Sequence, residues 1–167
     1  MADHESIQKL AAVLVQELTA ANKAVATAES CTGGWVAKAI TDIAGSSAVF
    51  GYGVVSYANG AKESILGVNN QTLEDHGSVS AEVVAEMANG ALRLSGADIS
   101  VAVSGVAGPT GGSKEKPVGT VWFAWAIRDG ANANIDTHCE HLSGDRDLVR
   151  EASVAYALQG LRERINV

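Results

Sequence analysis

The stretch Glu29-Ser30-Cys31-Thr32-Gly33-Gly34 sets three hydroxyl- and thiol-bearing side chains between an apolar run and a segment of helical periodicity. A serine at such a strand-to-helix turn has free backbone N–H groups and a helix dipole beside it, both of which favour developing negative charge, so Ser30 is a candidate nucleophile. The competing reading is that Ser30 or Thr32 caps the helix and the glycines permit close packing. Serine also needs a base. His4, His76, His138 and His141 fall in a frayed terminus, a polar loop and one late strand, and none is well placed by sequence. Lys62 is the alternative, because serine–lysine pairs are a known variant of the nucleophile and base arrangement. To serve near neutrality its pKa must fall from about 10.4 by burial or a like charge, at a cost of roughly 4 kcal/mol. Tyr57, five positions earlier, is able to orient the lysine or relay a proton. A lysine on a short helix is otherwise a solvated surface residue.

Other motifs carry less. Ser104-Gly105-Val106-Ala107-Gly108-Pro109-Thr110-Gly111-Gly112 follows a strand and offers backbone donors to a phosphate or carbonyl, as expected beyond the carboxyl ends of strands in open α/β sheets. It matches neither a P-loop nor a dinucleotide fingerprint. His138-Cys139-Glu140-His141 suggests a metal, but alternation sends His138 and Glu140 to one face and Cys139 and His141 to the other, so a surface strand is expected. Cys31 lacks a paired histidine, and no S-x-x-K signature follows Ser30. Cys31 and Cys139 are expected to be free thiols.

The elements that must position these residues follow from periodicity. Apolar residues at Ile7, Leu10, Ala11, Leu14, Val15 and Leu18 predict an amphipathic helix over 7–20. A strand over 24–28 precedes the Ser30 turn, and Trp35, Val36, Ala39, Ile40 and Ile43 resume helical spacing. Residues 49–57 read as a strand and 58–67 as a turn and short helix ending at Gly67, with Lys62 in its first turn. Ser80 is a candidate N-cap for a helix over 81–94 with Val83, Val84, Met87, Ala91 and Leu94 inward and Ser95-Gly96 closing it. Strands are expected at 99–106 and 120–127, then an antiparallel strand at 135–142 after the Asp129-Gly130 turn, and a last helix over 145–165. Strands interleaved with helices predict an α/β fold, a mixed and mostly parallel sheet of about five strands covered on both faces.

The 167 residues suit one domain over 1–167, and 47% hydrophobic content is enough for its core. Aromatics at 5% and 18 glycines predict small and β-branched side chains in closely approaching layers. A formal charge of −7 with 12 scattered Lys and Arg argues against a nucleic-acid surface. The N-terminal MADHESIQKL has acidic residues where a signal peptide carries positive charge, and no run approaches a membrane span of roughly 18 apolar residues, so the expected location is cytoplasmic. An Ala- and Val-rich chain with three tryptophans is compatible with a homodimer.

AESCTGG (28–34), GSSAVFGYGVVSYANGAKESILGV (45–68), VSAEVVAEMA (79–88), AVSGVAGPTGG (102–112), PVGTVWFA (117–124) and GDRDLVR (144–150), in that order, resemble the CinA C-terminal-domain family. The resemblance implies an α/β/α sandwich and a nicotinamide-nucleotide amidase, with no cofactor and no metal. It implies a catalytic group of Ser30, Tyr57 and Lys62. The match, and not the spacing, brings Lys62 forward. The implied substrate is nicotinamide mononucleotide, and the implied chain is a stand-alone amidase without the further domain of full-length relatives. Expected binding residues are Cys31, Thr32, Gly33 and Gly34 around the oxyanion, and Gly45, Ser46, Ser47, Gly108, Thr110 and Arg146 around the phosphate. Arg146 has an ion-pair role near the start of the last helix as its alternative. The rival functions are a catalytically silent nucleotide-binding or assembly module and an amidase for another substrate.

Overall fold

The computed structural model describes residues 4–166; the chain start Met1–Asp3, part of the segment weighed as a signal peptide, lies outside the described residues. Its elements are α1 (His4–Ala21), β1 (Val25–Glu29), α2 (Trp35–Thr41), a 3-10 turn (Ser46–Ala48), β2 (Phe50–Val55), α3 (Asn59–Leu66), α4 (Asn70–His76), α5 (Ala81–Ser95), β3 (Ile99–Gly105), β4 (Thr120–Asp129), β5 (Asn132–His141) and α6 (Arg146–Glu163). The sheet order is β2-β1-β3-β4-β5. Both β1 ladders are parallel, whereas β3·β4 and β4·β5 are antiparallel, so β4 alone runs against the others.

Alternation along the strands sorts the core into two unlike layers. On one face Val25, Ile99, Val101, Val103, Val121, Phe123 and Trp125 meet α1, α2 and α6. On the other, Ala26, Ala28, Ala102, Ala124 and Ala126 meet α3, α4 and α5. Small side chains on that second face let α5 lie close to the sheet, and its approach to α3 is closer still. A Cβ on Gly90 would stand 2.1 Å from the Leu66 carbonyl oxygen, so only glycine fits.

Local signals behave as their chemistry requires. Ser80 caps α5 by accepting the Val83 N–H, and Gly67 and Gly96 close α3 and α5 at φ of 72° and 70°, where residues with a Cβ are strained. Three expectations change. Leu94 is 40% exposed and lies off the buried face of α5, where Leu92 packs inward instead. Residues 70–76 form a helix whose cap is the Asn69 side chain, accepting the Gln71 N–H, so His76 ends a helix instead of lying in a loop. His4 opens α1. The late strand is an exposed edge, and His138 and Glu140 share a face with 2.9 Å between them. Cys31 and Cys139 are free thiols. Among the described residues no helix is long and apolar enough to cross a membrane.

Candidate active site

Ser30 is the residue at which β1 ends, and the ladders place it. Its N–H donates to the Val103 carbonyl at 2.9 Å, extending the β1·β3 ladder by one step, and the Ser56 N–H donates to the Glu29 carbonyl at 2.8 Å on the other side. The serine therefore emerges at the carboxyl end of the central parallel strands. It lies in a cleft of about 290 Å³ whose walls include Cys31, Tyr57, Ser104, Gly108, Thr110 and Arg146.

Lys62 approaches from the protein side. In α3 the inward positions are Lys62 and Leu66, four residues apart and thus on one face. Leu66 is anchored among the α5 side chains, which carries Lys62 inward to 1% exposure. Its Nζ lies 3.2 Å from Ser30 Oγ, 2.8 Å from the Ser56 carbonyl oxygen and 3.2 Å from the Tyr57 carbonyl oxygen. A neutral amine has two N–H bonds and one lone pair; with the two carbonyls taking the N–H bonds, the lone pair is left for the serine hydroxyl. Burial holds the Lys62 pKa below the ordinary lysine range, and the Cys31 sulfur nearby works weakly against that. The Cys31 thiol is pushed up to about 11, chiefly by burial, so it stays protonated and is a poor nucleophile beside Ser30.

Tyr57 serves the lysine through its main-chain carbonyl. Its side chain is 60% exposed, and the hydroxyl accepts from Arg146 Nη2 at 3.0 Å. Arg146 Nη1 donates to the Gly108 carbonyl at 2.8 Å, so the guanidinium spans the cleft between Tyr57 and the glycine-rich loop. Among the described residues Arg146 has no carboxylate partner.

The helix dipole of α2 is not free to hold an anion, contrary to the sequence expectation. The fully buried Glu29 carboxylate accepts the N–H groups of Gly34 at 3.1 Å, Val36 at 3.0 Å and Ala37 at 2.8 Å. Among the described residues no main-chain carbonyl accepts the N–H groups of Cys31 and Thr32. They remain as the donors next to Ser30.

The expected binding residues divide into three sets. Cys31, Gly108, Thr110 and Arg146 line the cleft with Ser30 and Tyr57. Thr32, Gly33 and Gly34 line a second depression on the α2 and α6 side. Gly45, Ser46 and Ser47 lie at the other end of the sheet: Val49, two residues after them, accepts the Val25 N–H with its carbonyl, at the start of the strand that Ser30 ends. Five residues of extended chain, roughly 16 Å, separate those two points, so within one chain the 45–47 turn does not reach the cleft. Sequence reasoning passed over Glu29 and Arg150. A buried acid preceding a serine and an arginine at the fifth position of a helix carry no periodic signal. Only the pairing of Glu29 with the first turn of α2 was open to a reader looking for an N-terminal anion.

Comparison with known proteins adds to this geometry. A family model described as CinA C-terminal domain matches residues 7–165. The nicotinamide-nucleotide amidohydrolase PncC of Escherichia coli (strain K12) is 56% identical over 161 residues, covering 96% of this chain and 95% of that protein. A CinA-like protein of Geobacter sulfurreducens is 50% identical over 141 residues, which are 84% of this chain and 33% of that protein. The crystal structure of the competence/damage inducible protein CihA from Agrobacterium tumefaciens superposes with a TM-score of 0.90 at 45% identity, covering 96% of both chains.

Proposed function

Because the chain belongs to the CinA C-terminal domain family, we propose that it is an amidohydrolase that deamidates nicotinamide mononucleotide, with Ser30 as nucleophile and Lys62 as base. The observation that carries the reading is the buried Lys62 amine 3.2 Å from Ser30 Oγ, with its remaining donors committed to two carbonyls. The likeness to PncC supports the substrate.

In this mechanism neutral Lys62 takes the Ser30 proton while Oγ bonds to the carboxamide carbon. The tetrahedral oxygen is held by the N–H groups of Cys31 and Thr32. On collapse the C–N bond breaks and the lysine returns its proton to the departing ammonia. Lys62 then takes a proton from water, whose oxygen attacks the acyl carbon, and the proton passes to Ser30 as nicotinic acid mononucleotide leaves. Tyr57 holds Lys62 through its carbonyl and, with Arg146, forms the outer wall. Arg146 and Thr110 receive the phosphate, Arg146 exchanging the Gly108 carbonyl and Tyr57 hydroxyl for a stronger charge-assisted pair. The reading includes a single domain acting in pyridine nucleotide salvage in the cytoplasm. It also includes a homodimer, for which edge strand β2 exposes Tyr52 on one face of the sheet and Val55 on the other; sedimentation velocity tests that part.

The experiment is ammonia release from nicotinamide mononucleotide, run beside free nicotinamide and NAD. Turnover confined to the mononucleotide is expected. A wild-type protein that binds the mononucleotide without releasing ammonia would make the chain a silent binding module, and turnover of another amide would reassign the substrate.

A further inference from the structure

The turn that carries Ser30 is gripped at both polarities of its backbone. Glu29 takes the N–H of Gly34 at the end of the turn and those of Val36 and Ala37 in the first turn of α2. On the opposite side Arg150 reaches across from α6, 119 residues away in sequence for Cys31 and 118 for Thr32. It donates Nε to the Cys31 carbonyl and Nη2 to the Thr32 carbonyl, each at 3.1 Å. Its guanidinium also lies 5.6 Å from the Trp35 ring centroid. Gly33, at φ 64°, leaves room for it: a Cβ there would stand 3.3 Å from Arg150 Nη2.

The consequence follows from the planarity of the peptide. Each trans peptide holds its N–H antiparallel to its C=O, so fixing one end aims the other. The Ser30 carbonyl accepts the Gly33 N–H at 3.0 Å, which fixes the plane that contains the Cys31 N–H. The Cys31 carbonyl accepts Arg150 Nε, which fixes the plane that contains the Thr32 N–H. Planarity turns that N–H to the side of the peptide opposite the Arg150 bond. A cation on the carbonyl also polarises the same amide and strengthens its N–H as a donor.

We propose that Arg150 is a positioning residue for the amidase reaction: it aims the Thr32 N–H at the tetrahedral oxygen formed on the Ser30 acyl centre. It touches no substrate and acts through the Cys31–Thr32 peptide. The inference rests on the amidase reading above, and its test keeps the two apart.

The depression of about 400 Å³ bounded by Thr32, Gly33, Trp35, Lys38 and Arg150 opens to solvent, so removing the arginine side chain leaves a guanidinium-sized space that a small cation can enter. The measurements are kcat and KM for ammonia release and the rate at which a fluorophosphonate labels Ser30. Each is taken with and without guanidinium at about 20 mM, far below the molar concentrations that unfold proteins. Arg150→Ala is expected to lower kcat about 10²-fold, the scale of one oxyanion donor, with KM within about twofold. Labelling should slow in parallel, and guanidinium should restore much of both. Lys38→Ala, which lines the same depression without bonding to the turn, should match wild type. Wild-type kcat and labelling in Arg150→Ala would overturn the proposal, as would a loss confined to KM or thermal stability that guanidinium does not relieve. Should Arg150→Ala fail to fold, Arg150→Lys keeps the charge but loses the two-pronged bond. A reduced kcat at unchanged KM supports the proposal there, and full kcat overturns it. A wild type that is labelled at Ser30 yet releases no ammonia would sink the amidase reading, while the labelling comparison would still decide the role of Arg150.

Discussion

Helices α2 and α3 are alike in sequence and opposite in use. Each is short, follows a strand and a turn, and carries one lysine. Lys38 on α2 points outward and pairs with Asp42 at 2.5 Å, with 60% of its side chain exposed. Lys62 on α3 is enclosed, donates to two main-chain carbonyls and faces a serine hydroxyl. The difference lies in what each helix leans on. α3 is drawn against α5 by Leu66 and the absence of a side chain at Gly90, whereas the outward side of α2 faces water. A lysine becomes a base when its surroundings supply hydrogen-bond acceptors for a neutral amine and no carboxylate for a charged one.

The contrast breaks most readily on activity. Lys62→Ala, like Ser30→Ala, should lower kcat for ammonia release by about 10³-fold or more, the scale seen when a member of a nucleophile and base pair is removed. Lys62→Arg should fare no better, because a guanidinium does not release its proton near neutrality. Retained turnover in either variant would move the base elsewhere.

Next in size is packing. Gly90→Ala should destabilise the fold by about 3 kcal/mol, since a Cβ 2.1 Å from the Leu66 oxygen forces α3 away from α5. Because that shift also moves Lys62, the denaturant midpoint and kcat should fall together; a stable, fully active variant would separate Lys62 burial from the α3·α5 approach.

The pH dependence sharpens the same comparison. In the proposed mechanism the neutral amine is the reactive form, so kcat/KM should rise with pH and reach its plateau below the ordinary lysine range near 10.4. For stability the sign is the same. Between the folded and unfolded pKa values of Lys62 the unfolded chain binds more protons, so stability climbs with pH across that window and is constant beyond both ends. Tm against pH for wild type minus Lys62→Met isolates the effect, and a flat difference would mean that Lys62 is not depressed. Smallest of all, Lys38→Ala should change stability by no more than about 0.5 kcal/mol, as for an exposed ion pair.

Much of the architecture was legible before any coordinates. Ser80, Gly67 and Gly96 declared helix ends, the apolar run of residues 120–127 declared a strand, and the Ser30 turn stood between an apolar run and a helical periodicity. Asn70–His76 was missed because a seven-residue polar helix with one buried side chain, Leu73, has too few apolar positions to show a period. At the site, Ser30, Cys31, Gly108, Thr110 and Arg146 do share a cleft. The 45–47 turn does not, since a glycine- and serine-rich turn looks the same at either end of a sheet.

What the sequence alone determined here are features set by residues within a few positions of one another: helix faces, caps, turns and the order of elements. The tertiary structure decided the lone pair of Lys62, the carboxylate of Glu29 closing the first turn of α2, and the arginine that reaches the Ser30 turn from α6. Those depend on electrostatics and solvent exclusion, which sum over groups far apart along the chain, and no local pattern of residues records that sum.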